Sequence, residues 1–184
     1  MKNLPTGIYT STRSLIAPSL LEAWLQYNQL VDALECYQAS VSRGAAVSRG
    51  FRGLMDDEII EHFELLKEEL NAWGILSLIA TAEAIIRRDY LRRVRERKKD
   101  SLSRYYRELE RTKGKSVRLK DDLLHQWTSI SPSTRGVVHR FFEILPIRHW
   151  IAHGRYYVLR ARQVEISAIY SRVEELLNCN ILLS

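Results

Sequence analysis

Apolar residues return along most of the chain at steps of three, four or seven, the spacing of a helix with one buried face. From Ser19 to about Ser42, Leu20, Trp24, Tyr27, Val31, Leu34 and Val41 follow that rule, and Leu21, Leu25 and Leu30 widen the face. Arg43-Gly44-Ala45-Ala46 and Gly50 read as a loop. Asp56 is then a candidate N-cap, with Asp57 and Glu58 suited to a first turn. A long helix follows, in which Ile59, Phe63, Leu66, Leu70, Trp73, Leu76, Ile79, Ala80, Glu83, Ile86, Tyr90 and Val94 stay near one face; Gly74 is a candidate bend.

Beyond it the pattern shortens. Ser101 to about Thr112 reads as a polar helix or as a continuation of the long one, and Leu119–Ile130 as another short helix. Ser131-Pro132-Ser133 punctuates the chain, with Ser133 a candidate cap for a helix carrying Val137, Val138, Phe141, Phe142, Ile144 and Leu145. Pro146 interrupts that helix or opens the next. Val164–Leu177 is amphipathic through Ile166, Ile169, Tyr170, Val173, Leu176 and Leu177. Strand patterns are nearly absent. The expected fold is all-α: an up-and-down helical bundle of about five to seven helices with a long second helix. Residues 1–18 read as an N-terminal extension and residues 19–184 as a single helical domain.

Composition adds boundaries. With 184 residues, 46% hydrophobic and 27% charged, the chain has the balance of a globular protein that needs no disulfide staples. Cys36 and Cys179 lie in separate apolar segments and read as buried reduced thiols, which fits a cytoplasmic location. No membrane span or signal peptide is expected. The net charge of +6 is unevenly placed: Arg87, Arg88, Arg92, Arg93, Arg95, Arg97, Lys98 and Lys99 form one dense block, so an acidic partner such as nucleic acid is a candidate.

Most familiar chemical signatures are missing: there is no Gly-rich phosphate loop, no cysteine pair at zinc spacing and no Gly-x-Ser-x-Gly elbow. His149 and His153 share a helical face as in a zinc peptidase, but Trp150 stands where the general-base Glu is needed, so no metal site or cofactor is expected. The informative segment is Leu145-Pro146-Ile147-Arg148-His149-Trp150-Ile151-Ala152-His153-Gly154. Arg–His spacing alone carries little, because roughly 1.7 such pairs arise by chance in a chain with this many arginines. Arg118 and His125 form a second pair, but Leu119 follows that Arg and no Ala-His-Gly ending closes it.

The segment around Arg148 resembles the signature of the HEPN family (higher eukaryotes and prokaryotes nucleotide-binding): an Arg, then Asn, His or Asp, then three or more residues and a His. Arg148, His149 and His153 match those positions, and Ile151, Ala152 and Gly154 match the small apolar residues and the Gly around the final His. The resemblance covers roughly Leu20 to Leu177. It implies a small helical bundle with a long second helix and the motif near the start of a late helix. Many members are metal-independent endoribonucleases that act as toxins of toxin-antitoxin pairs or as antiviral defence effectors. By that resemblance RNA is the substrate, and an antitoxin or regulatory protein is a possible partner.

The residue types suit that chemistry. When the ribose 2′-OH is the nucleophile, protons must move and the charge on a pentacoordinate phosphate must be neutralised. His153 is suited to general acid/base work, Arg148 to phosphate binding, and His149 to orienting the site or carrying a second proton. At about 100° per residue Arg148 and His153 stand about 140° apart, so one regular helix does not aim both at one phosphate. In the family two motifs meet at a dimer interface, which implies a homodimer with a composite site. Trp150 and Ile151 are candidates for that interface or for the chain's own core. Glu83, mid-helix among alanines, is either a partner for Arg148 or His153 or a surface pair with Arg87. Tyr156 and Tyr157 are candidates for base stacking or site hydrogen bonds, and Arg87, Arg88, Arg92 and Arg93 for an RNA-guiding surface. The alternatives are a non-catalytic nucleotide- or RNA-binding module and a protein-interaction bundle.

Overall fold

The computed structural model describes residues 18–44, 51–154 and 165–183. These residues form an all-α bundle: α1 (Leu20–Ser42), α2 (Asp56–Arg95), α3 (Ser101–Lys113), α4 (His125–Ile130), α5 (Arg135–Ala152) and α6 (Ile166–Leu177). A π-helical turn, Leu119–Leu124, leads into α4. Helix α2, about 60 Å long at 1.5 Å per residue, is the spine. Its first half packs with α1 around the small cluster of Val41, Phe51 and Phe63. Its second half holds the main core with α3, α5 and α6, where Leu78, Ile79, Ile86, Tyr106, Leu123, Trp127, Phe141, Ile144, Ile169 and Leu176 meet. Trp127 is fully buried and donates its indole N–H to the Tyr106 hydroxyl at 2.8 Å, so the largest core side chain carries no orphaned donor.

The helix starts follow local rules. Ser19 caps α1 in a capping box with Glu22, at 3.2 and 2.7 Å. At α2 the cap is Met55 rather than Asp56: the Glu58 carboxylate accepts the Met55 N–H at 2.8 Å. Asp100 caps α3 through Ser103 N–H at 3.0 Å, so the polar segment is a separate helix and not a continuation of α2. Before α5, Pro132–Thr134 form a 3₁₀ turn, and Thr134, not Ser133, holds the junction by donating to the Ser131 carbonyl at 2.7 Å. Pro146 neither ends nor opens a helix but lies within α5. One lost backbone bond there is outweighed by the buried stripe of Val138, Phe141, Ile144 and Ile147.

Gly74 does not interrupt α2, which runs unbroken through it. A Cβ there would lie 2.4 Å from Ile166 Cδ1 and 2.6 Å from Tyr27 Cδ2, so the glycine permits α1 and α6 to close on α2. Alanine has the better helix propensity by about 1 kcal/mol, but overpacking costs about 1–3 kcal/mol. Gly74→Ala is therefore expected to lower the thermal midpoint by a few degrees; an unchanged or raised midpoint in a melting curve would contradict the close approach.

Several apolar positions assigned to the core lie outside it. Leu21, Leu25 and Leu30 are about half exposed, Trp73 is 73% exposed, and Ala80 is exposed. Cys36 is exposed, and only Cys179 is partly covered. One 18-residue window in α2 has mean hydropathy 1.3, enough by length and composition for a membrane span, and 44% of it is buried in the bundle.

Candidate active site

Burial of Val138, Phe141, Ile144 and Ile147 fixes the rotation of α5 against α2 and α6. That rotation puts Arg148 at the edge of the buried stripe and His149 outside it. The helix ends one turn later. His153 is its C-cap, with its N–H on the His149 carbonyl at 3.1 Å, and Gly154 follows at φ +81°, the left-handed conformation in which helices commonly stop. The Gly after the motif His thus serves the helix end, and the motif closes a helix rather than standing near the start of one, as the resemblance had implied.

Two contacts organise the motif. Arg148 Nη2 lies 3.4 Å from Glu83 Oε2, which ties the last turn of α5 to the middle of α2. Of the two readings of Glu83, its partner is Arg148, while Arg87 is exposed. The bond is long, and Arg148 Nε is buried with no partner, so the guanidinium keeps unspent donor capacity. The His149 and His153 rings sit side by side, centroids 4.1 Å apart and tilted by 47°, both exposed. Among the described residues, no hydrogen bond joins these rings to Arg148, and no third His, Cys, Asp or Glu completes a metal-binding group. One chain thus presents an Arg–Glu pair and a histidine pair on different sides of the α5 terminus. Ile151 packs against the main core, and Trp150 is half-buried. Tyr156 and Tyr157 lie outside the described residues.

The RNA-guiding set needs one correction. Arg87 and Arg88 are exposed, and Arg92 pairs on the surface with Glu96 at 2.9 Å, but Arg93 is buried, its side chain 5% exposed. It donates to Asp89 at 2.7 Å, to Asp100 at 3.0 Å, to Ser103 at 3.3 Å and to the Ile181 carbonyl. Asp89 in turn accepts the Leu183 N–H at 2.9 Å. Arg93 is therefore the hub that fastens α2, the α3 cap and the chain beyond α6, with no donor facing solvent for RNA. The i,i+4 pair Asp89/Arg93 was the available signal, and density of positive charge masked it. Asp122, also buried, closes a similar knot, accepting from Lys113 at 2.5 Å and from Arg118 N–H at 2.7 Å. Compared with protein-family models, curated proteins and solved structures, the chain matches none, so its likeness to the HEPN family rests on the residues from Arg148 to Gly154 and on the helical bundle that carries them.

Proposed function

We propose that the protein is a metal-independent endoribonuclease of the HEPN type, acting in the cytoplasm as a toxin or defence effector, with Arg148, His149 and His153 as its reacting groups. The observation that carries the reading is the presence, at one helix end, of an under-bonded guanidinium and two exposed, adjoining imidazoles. In the reaction, a histidine takes the proton of the ribose 2′-OH, O2′ bonds to phosphorus, and the P–O5′ bond breaks as a second histidine protonates O5′. Arg148 neutralises the phosphorane, held in place by Glu83. Because Arg148 and the histidine pair face different ways on one chain, a composite site from two copies supplies both to one phosphate. Arg87, Arg88 and Arg92 provide phosphate contacts without base preference.

The test is incubation of the purified protein with mixed cellular RNA in excess EDTA, followed by analysis of product ends. The expected products carry 2′,3′-cyclic phosphate and 5′-hydroxyl ends. Absence of cleavage across several RNA types, with a folded sample that still binds RNA, would favour the second reading, a binding module. That reading finds support in the Arg148–Glu83 ion pair, which serves structure equally well.

A further inference from the structure

The two imidazoles at the end of α5 have donor atoms whose use is not confined to proton transfer. His149 and His153 are i,i+4 neighbours, so both side chains leave the helix on one side. Their ring centroids are 4.1 Å apart, both residues are exposed, and neither ring has a hydrogen bond or ion pair among the described residues. Two imidazole nitrogens held this close can close on one metal ion: zinc binds each at about 2.0–2.1 Å, which sets the nitrogens roughly 3.3 Å apart in a tetrahedral shell. Rotation about the side-chain bonds brings the rings to that arrangement. No other two histidines of the chain lie at this spacing. His139 lies 3.6 Å from Glu143, whose second oxygen already accepts from Arg172 at 3.0 Å.

We infer that His149 and His153 form a two-histidine site for a divalent late transition-metal cation such as zinc, and that the bound ion blocks cleavage; the second half rests on the ribonuclease reading. Water takes the remaining positions on the metal. Every His, Cys, Asp and Glu of the sequence lies among the described residues, and none supplies a third ligand. The site is therefore a reversible chelate and not a resident cofactor centre. It has half the protein ligands of a structural zinc site, which sets a dissociation constant on the order of 10 µM. Ligand type sets the selectivity: two nitrogens without a carboxylate suit copper, nickel and zinc, whereas magnesium and calcium require oxygen ligands. The surroundings favour a cation, because the site lies at the C-terminal end of an 18-residue helix, the negative end of its dipole. Arg148 points to Glu83 on another side of the helix, so its charge is directed away from the chelate. A metal on these nitrogens occupies the lone pair with which an imidazole accepts the 2′-OH proton, so ion and reaction compete for the same electrons.

Calorimetric titration of the full chain tests the site without reference to RNA. Zinc chloride is expected to show one site of micromolar affinity, nickel chloride a similar one, and magnesium and calcium chloride none. His149→Ala and His153→Ala each leave one imidazole and are expected to weaken zinc binding at least about tenfold, with helicity and melting of the metal-free protein unchanged because both side chains are exposed. The double variant is expected to bind within about twofold of either single one, since a chelate is lost with its first ligand. His139→Ala, and Cys36→Ser at the exposed thiol, leave the affinity unchanged. With cellular RNA and no EDTA, zinc at about ten times its dissociation constant is expected to suppress cleavage about tenfold, and added EDTA to restore it. No zinc binding by the parent at up to about 1 mM, or a single variant binding within about twofold of the parent, would overturn the site. Zinc that binds and leaves cleavage undiminished would overturn the inhibition. A parent that binds zinc at both histidines and cleaves no RNA would count against the ribonuclease reading alone and leave the metal site standing.

Discussion

His153→Ala is expected to lower metal-independent RNA cleavage by about 10²–10⁴-fold, the usual contribution of a positioned proton-transfer group. The variant should fold as the parent does. His153 is exposed, its backbone N–H makes the cap whatever the side chain, and among the described residues its ring neighbour is His149. His149→Ala should also leave the fold intact, and comparison of the two variants assigns the roles. The residue whose loss removes the acidic limb of the pH–rate profile is the base; the one whose loss removes the basic limb is the acid. Arg148→Lys keeps the charge but loses the planar fork, so a loss of more than tenfold would show that phosphate is held bidentately. Equal cleavage by parent and His153→Ala would remove this site from the chemistry.

Arg93→Ala is expected to destabilise the fold by about 3–5 kcal/mol, the cost of removing one partner from a buried ion pair. Asp89, 6% exposed, would keep a buried carboxylate whose guanidinium partner is gone, and Asp100, Ser103 and the Ile181 carbonyl would lose a donor together. Chemical denaturation reads the stability directly. Arg93→Met removes the charge while keeping much of the side-chain bulk, so similar losses in the two variants would assign the effect to the charge network rather than to packing. Arg88→Ala, at an exposed neighbouring position, serves as the contrast, with a change within about 0.5 kcal/mol. A small loss for Arg93→Ala would place its guanidinium at the surface and return it to the RNA-guiding set.

Periodicity was sufficient for the architecture because helices are local. A repeat near 3.6 residues specifies the element and its apolar side, so the long second helix and the amphipathic α6 were legible within a few residues of their ends, and the α3 segment was legible as helical but not as separate from α2. Caps were less legible, since Met55 and Thr134 serve where Asp56 and Ser133 were better candidates by residue type. Along the chain, Arg148, His149, His153 and Glu83 could be named as candidates because they are unusual in type or setting. Only the packing of α5 on α2 decided that Glu83 faces Arg148. That contact joins residues 65 apart, and no local rule encodes it.

Charge and apolarity were the properties that sequence alone misread. Arg93 looked like its seven basic neighbours, yet one turn of phase carries it inward to Asp89, while Trp73 looked like core and stands in solvent. A 40-residue helix has more apolar circumference than one bundle can cover, and which side is left open depends on where the other helices dock. Local spacing was enough to read a helical bundle carrying an Arg-His-x-x-x-His segment. Which charges are structural, and which side of α2 the described helices leave uncovered, followed from packing, because burial depends on contacts between distant segments and not on the residues beside it.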